Sequence, residues 1–404
     1  MGAPAARVSE LSRLWASEGH EVTVLTGFPN HPTGIVPPDY RKRFRRLVTR
    51  ERSNDVDVLR TWLLPLPNRK SYERILNYSS FAGSAALTGT SLSRPDVLIA
   101  TSPQLLVGLS GWWIARCKRV PFVFEVRDLW PESLFAVGCG NNSPLYRGLA
   151  AIAGFLYRAS DHIVVVTDAF KEHLIDKWQV PAEKISVVEN GVDTELFRPA
   201  DLSPSPANPN KFVVSYIGTV GMAHGLETLV EAASKLQSSA PHIEFRVIGE
   251  GAEKEKIISI VQDKRLQNIR FLGQQPREKI PEHISGSDAC LVLLRGSEIF
   301  RTVLPTKMLE FMACARPVIA AVDGFAKDVL CHAHAGIATE PQNSSELAQA
   351  ILTLSADPQR CTQYGSNGRR YILQNFTREK TARLYLDLLS GLLQQNRSLA
   401  AVPA

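Results

Sequence analysis

"KFVVSYIGTVGMAHGLETLVEAASKL", residues 211–236, passes from a near-continuous apolar run through a glycine-rich turn into a helical pattern. The run 211–218 reads as a strand buried on both faces, and "LETLVEAASKL" reads as the helix that covers one of them. Between them, Gly218, Gly221 and Gly225 make a strand-to-helix turn whose backbone is free to approach a phosphate. Strand, glycine turn and helix together are the repeating unit of a doubly wound α/β sheet.

The same alternation extends in both directions. Upstream, short β-branched runs recur at "EVTVLT" (21–26), "VDVLRT" (56–61), "DVLIAT" (96–101), "PFVFEV" (121–126), "HIVVVT" (162–167) and "ISVVE" (185–189). Downstream they recur at "IEFRVIG" (243–249), "IRFLG" (269–273), "ACLVLL" (289–294) and "PVIAA" (317–321). "RPADLSPSPANPN", 198–210, interrupts them without any period and reads as a linker. With 404 residues, more than one core is needed. The expected architecture is α/β, two Rossmann-like doubly wound domains. Residues 1–198 form the first, 199–376 the second, and 377–404 a closing helix and tail. The first domain opens on a loop and the helix "ARVSELSRLWASEGH", with no strand before it. Such domains begin on a strand that commonly lies in mid-sheet. A first strand is therefore expected to be missing from its sheet, as if the chain as given starts late. That loss leaves two ladders of backbone groups without partners.

Composition narrows the function. Net charge is +6 with 21% charged residues, mildly basic, which suits a phosphate-bearing ligand or an anionic surface. No base-reading motif supports nucleic acid. Six cysteines without a CxxC pair suit a reducing, cytoplasmic setting. The N-terminus has no apolar signal region, and the run Leu105 to Ala115, with Trp112 and Trp113, is too short to span a bilayer and reads as a core helix.

Candidate chemistry gathers at strand ends. In "LPTKMLEFMACARPVIA", 304–320, Thr306 can cap a helix whose first N–H groups attract phosphate, and Lys307 adds a formal charge there. Glu310 shares the face of Lys307 and suits a pair of sugar hydroxyls. Read alone, this Lys and Glu are an ordinary ion pair on a solvated helix face. Arg127 and Asp128 follow the strand "PFVFEV", at the edge where open α/β sheets bind ligands, or form a structural ion pair. His332 and His334 lack a third metal ligand and read as loop residues. "RKRFRR", 41–46, is either a solvated loop or a lipid-docking run.

In order along the chain, "GAPAARVSEL", "GHEVTVLTGFPNHPTGIVP", "FEVRDLWPES", "ENGVDTELFRP", "YIGTVGMAHGLETL" and "LPTKMLEFMACARPVIA" resemble a GT-B-fold, retaining glycosyltransferase of family 4. The subgroup is that of bacterial O-antigen, capsule and exopolysaccharide transferases, including those like N-acetyl-fucosamine transferases. The resemblance spans essentially the whole chain. It implies a nucleotide-sugar donor, usually UDP-linked, a lipid-linked or saccharide acceptor, and no obligatory metal or other cofactor. Glu310 matches the ribose-binding Glu. Lys307 and the turn carrying Gly218, Thr219, Gly221 and Gly225 match the pyrophosphate region. Gly2 matches the loop near the transferred sugar, Arg127 and Asp128 lie where many relatives carry His-Asp, and Asn30 and His31 fall in an acceptor-facing loop.

The chain departs from the pattern where many relatives carry a second Glu, eight residues before the ribose Glu. Thr302 stands there, with Glu298 at the wrong spacing. Where many carry Arg and Lys in the glycine turn, Thr219 and His224 stand, so Lys307, Arg295 and Arg301 are the candidates to meet pyrophosphate charge. The implied mechanism uses no protein nucleophile: the leaving phosphate oxygen takes the acceptor's proton on the same face. The implied place is the cytoplasm or the inner face of the cytoplasmic membrane, with peripheral contact to anionic lipid. A nucleotide-sugar epimerase or sugar phosphorylase on the same fold is the rival enzyme reading, and a two-domain sugar-binding protein is the non-enzyme one. An epimerase needs no acceptor, a phosphorylase needs inorganic phosphate, and a binding protein takes free sugar.

Overall fold

The computed structural model describes residues 3–30, 34–66, 71–133, 143–199 and 211–400. Gly2, His31 and most of the expected linker lie outside them. The described strands are β1 (Thr23–Gly27), β2 (Val48–Ser53), β3 (Val56–Thr61), β4 (Leu98–Thr101), β5 (Phe122–Val126), β6 (His162–Val165), β7 (Ile185–Val187), β8 (Phe212–Ile217), β9 (Ile243–Ile248), β10 (Ile269–Gly273), β11 (Ala289–Leu293), β12 (Val318–Ala321) and β13 (Gly336–Thr339). The chain divides into two compact units. One comprises Met1–Ala6 and Asn190–Lys380, the other Arg7–Glu189 and Thr381–Ala404.

The unit built on Asn190–Lys380 holds a six-stranded, fully parallel sheet in the order β10-β9-β8-β11-β12-β13. Its central strands β8, β11 and β12 are almost wholly apolar because both faces are covered, whereas β9 and β10 toward one edge carry Glu244, Arg246 and Arg270. Along β8 and β11, Val214, Tyr216, Leu291 and Leu293 enter one core with Leu229, Val230 and Ile351. Ile217, Cys290 and Val292 enter the other, with Met308, Phe311 and Met312. Successive residues of a strand point to opposite faces, so one apolar run supplies both cores. From β8 the order runs outward to β9 and β10, then returns to β11 on the other side. The crevice beyond the C-terminal ends of β8 and β11 is thus a topological switch point, the place where such sheets bind ligands.

The other unit departs from a single doubly wound sheet. β4-β5-β6-β7 form one parallel sheet, while β1-β3-β2 form a second, with β2 antiparallel to β3. β1 and β4 each end their sheet, and the apolar Val24, Leu25, Leu98 and Ile99 are only half-buried, whereas β5 and β6 are buried at every position. The parallel sheet is covered by Leu11 and by Ala382, Tyr385 and Leu389 of the helix Arg378–Ala400, which pack with Val123, Val164 and Val188. Trp112 packs edge-on against Phe155 at 4.9 Å in the helix Leu105–Lys118, while Trp113 of the same helix is half exposed.

Candidate functional site

The turn after β8 is fixed by its own backbone. Gly218 has φ +146, a backbone that side chains disfavour, and a Cβ there would lie 2.8 Å from Lys307 Nζ. The turn is braced on two sides. Gly218 N and Val220 N donate to the carbonyls of Ile248, the last residue of β9, and Glu250, just beyond it. Arg295 N donates to the Ala223 carbonyl, and His224 Nδ1 lies 3.2 Å from the Leu293 carbonyl, at the end of β11. Thr219 is exposed, Gly221 opens a short 3-10 turn, and Gly225 closes it at φ +57.

The helix Thr306–Ala313 faces the same turn through its first residues. Its N-terminal flank is Pro305 in an extended conformation, and no side chain caps it. Thr306 is therefore the first helical residue and not the cap expected from sequence. With no hydroxyl folded over it, this end keeps its amides for another acceptor. Lys307 runs back along the turn. Its Nζ donates to the Tyr216 hydroxyl at 3.0 Å and sits 4.3 Å from the centre of that ring. The Tyr216 hydroxyl in turn donates to the Thr219 carbonyl at 2.7 Å. Enclosure lowers the Lys307 ammonium to about 7, partly opposed by the carboxylate of Glu310. Burial and the nearby Lys307 also lower His224, to about 3, so its imidazole is neutral and its Nδ1 is the proton donor to Leu293.

Glu310, one turn further, is held by Arg277 across 3.1 Å, and the Arg277 guanidinium lies 5.0 Å from the Phe197 ring. Sequence reading missed Tyr216, Arg277 and Phe197. Tyr216 looks like any apolar strand residue, and Arg277 lies 33 positions from its partner. The other candidate cations are engaged elsewhere: Arg295 pairs with Glu227 at 3.3 Å, and Arg301, exposed, pairs with Asp323 at 3.3 Å. Lys307 is thus the candidate cation whose ammonium rests on a neutral oxygen.

In the other unit, Arg127 and Asp128 follow β5 as expected, but each is tied into the protein. Arg127 donates to the Ser102 carbonyl at 3.0 Å and lies 3.7 Å from Glu125, which Arg7 and Thr101 also bind. Asp128 accepts from Trp130 Nε1 and from the Ser133 hydroxyl, and burial raises its carboxyl above the usual range. Asn30 Nδ2 is buried without a hydrogen-bond partner among the described residues. Phe44 of the basic run packs on Phe28 at 5.2 Å, so it is an internal anchor and not a lipid-facing ring. Among the described residues no group of three His, Cys, Asp or Glu is arranged to hold a metal ion, and no helix is long and apolar enough to cross a membrane.

Known proteins share this framework. A glycosyl transferase 4-like domain matches residues 2–191, and a glycosyl transferases group 1 domain matches residues 197–371. WcaI of Escherichia coli K12, a glycosyl transferase named for colanic acid biosynthesis, is 24% identical over 402 residues, covering 95% of both chains. Sucrose-phosphate synthase from Thermosynechococcus elongatus superposes with a TM-score of 0.77 at 20% identity, covering 98% of this chain and 94% of its own. HepE from Anabaena, solved with UDP-glucose, superposes with a TM-score of 0.69 at 17% identity, covering 92% of this chain and all of its own. Two domain matches in series, one to each half of the chain, and a shared two-domain fold place this protein among the GT-B glycosyltransferases of family 4 type.

Proposed function

We propose that the protein transfers a sugar, with retention, from a UDP-sugar to a lipid-linked saccharide in bacterial surface-polysaccharide synthesis. One observation carries the donor half. An uncapped helix end, a glycine turn and an enclosed lysine resting on a neutral oxygen converge at the switch point of the parallel sheet. That combination suits a diphosphate, and Glu310 on the same helix suits the ribose hydroxyls. Arg277, which holds Glu310, would keep the carboxylate aimed while the hydroxyls share it. As the bond to the diphosphate breaks, negative charge grows on the leaving oxygen. Lys307 and the helix amides stabilise it, so no obligatory metal is assigned. The leaving oxygen takes the acceptor proton. The UDP complexes of HepE and the polysaccharide name of WcaI support the donor class and the pathway class.

We assign the acceptor to the other unit, with Asn30 and the edge after β5 carrying Arg127 and Asp128. We place the reaction at the inner face of the cytoplasmic membrane. Around the helix Pro38–Phe44, exposed Ile35 and Leu47 flank Arg41, Lys42, Arg45 and Arg46, a basic and apolar surface suited to anionic lipid. The test supplies UDP-sugars with a lipid extract from bacterial membranes, and follows UDP release and the anomeric configuration of the product by NMR. An α-linked donor should give an α-linked product. An inverted product would refute retention, and UDP-sugar isomerised without any acceptor would favour the epimerase.

A further inference from the structure

Glu310 is enclosed together with its partner. Only 13% of its side chain and 15% of that of Arg277 reach solvent, and Arg277 Nη1 donates to Glu310 Oε1 at 3.1 Å. Arg277 opens the short 3-10 turn Arg277–Lys279 after β10. Its guanidinium lies over the Phe197 ring, 5.0 Å from the centre. Phe197 is fully buried, and its backbone is fixed on both sides. Its N–H donates to the Asp193 carbonyl at 2.9 Å, and its carbonyl accepts from Arg369 Nη1 at 2.9 Å. Arg369 Nη1 also donates to the carbonyl of Ala313, the last residue of the helix that carries Glu310. Arg369 thus ties the ring to the helix, and the guanidinium is held between ring and carboxylate.

That frame has a chemical consequence. A glutamate side chain has several rotamers, and a planar guanidinium seated on a ring selects among them. One bond to Oε1 leaves the carboxylate about three further acceptor sites. These suit two neighbouring hydroxyls on one side of a ring, the cis-diol of a ribose. A deoxyribose offers only one of them, and a mostly buried carboxylate then forfeits a charged hydrogen bond. We propose that Arg277, backed by Phe197, is a positioning residue that aims Glu310 at a cis pair of hydroxyls and so restricts the donor to sugars of ribonucleotides, excluding those of deoxyribonucleotides. A lysine at 277 would not serve in the same way, because a point charge has neither the plane that stacks nor the fork that orients a carboxylate.

This inference rests on the nucleotide-sugar reading above. It is tested by calorimetry with UDP and 2′-deoxy-UDP, which differ by one hydroxyl. Wild type should bind UDP tighter by about tenfold or more. Glu310→Ala should bind the two alike. Arg277→Gln, checked for a cooperative melt, should bring the ratio of affinities below about threefold, chiefly through weaker UDP binding. Arg277→Lys should lower the ratio less, and it decides the question if Arg277→Gln does not melt cooperatively. A purely structural arginine would weaken both nucleotides equally and leave the ratio at its wild-type value. That unchanged ratio, or tighter UDP binding by Arg277→Gln, would overturn the inference and leave the donor reading standing. Equal affinity of the wild type for the two nucleotides would do the same. Absence of binding by UDP and by other nucleotides would overturn both.

Discussion

At Lys307 the fold partly buries a cationic side chain against a phenol and a glycine turn, and the desolvation works against stability. The unfolded chain holds the lysine proton up to about 10.5, whereas the folded protein releases it near 7. Between those values the unfolded state binds more protons, so this residue's contribution to stability improves as pH rises through that window and is worst below it. Lys307→Met should therefore raise the unfolding free energy of the ligand-free protein at pH 7 by roughly 0.5–2 kcal/mol while abolishing nucleotide binding. A melt in which the variant is less stable than wild type would show that contacts of the lysine outweigh its desolvation. From sequence, Lys307 and Glu310 could be chosen because the helix start and their spacing are visible. Their partners could not, since Tyr216 and Arg277 reach them only through the folded sheet.

Among the elements, the turn after β8 and the segment after β5 are the most exposed to substitution. Gly218→Ala imposes a side chain at φ +146 and drives a methyl onto Lys307 Nζ. A loss of about 1–3 kcal/mol and weaker nucleotide binding are expected, measured by denaturant melts and calorimetry. Glu132 joins the segment after β5 to the helix Asp168–Trp178, accepting from His173 Nε2, Lys177 Nζ and Trp178 Nε1. Those donors hold its carboxyl down at about 2, against the opposing pull of burial. Its stabilisation is complete above about 4.5 and disappears as pH falls from there to about 2. Glu132→Gln should cost about 3 kcal/mol at neutral pH and flatten the acid limb of the stability profile in that window. An acid limb identical to wild type would place the titration elsewhere. The elements themselves were legible where they are apolar. β2, "VTRERS", escapes a hydrophobic pattern because it is a charged antiparallel edge, and β13, "GIAT", because it is four residues with a glycine. Thr306 misled because cap preference says nothing of the Pro305 backbone that sets the true start.

For the whole molecule, the two-unit division and the parallel sheets follow from strand alternation, which is why they could be anticipated. The division of the strands within Arg7–Glu189 into two sheets, β1-β3-β2 and β4-β5-β6-β7, is not legible in that alternation. What sequence leaves open is where basic side chains go. Of "RKRFRR", Phe44 turns inward and Arg43 reaches Glu51, while the remaining four stay exposed. Charge reversal at Arg41, Lys42, Arg45 and Arg46 should weaken sedimentation with anionic vesicles, at about 1 kcal/mol per residue, and leave nucleotide binding intact. Equal binding by the reversed variant would remove the membrane assignment.

In the proposed function, the helix Thr306–Ala313 holds the nucleotide-sugar donor. Thermal melts with UDP, GDP and ADP, for wild type and Glu310→Ala, test it most directly. Stabilisation by UDP is expected, about 2.7 kcal/mol at a hundredfold excess over Kd, and it should be lost in the variant. A cooperative wild-type melt that none of the three nucleotides shifts would contradict it.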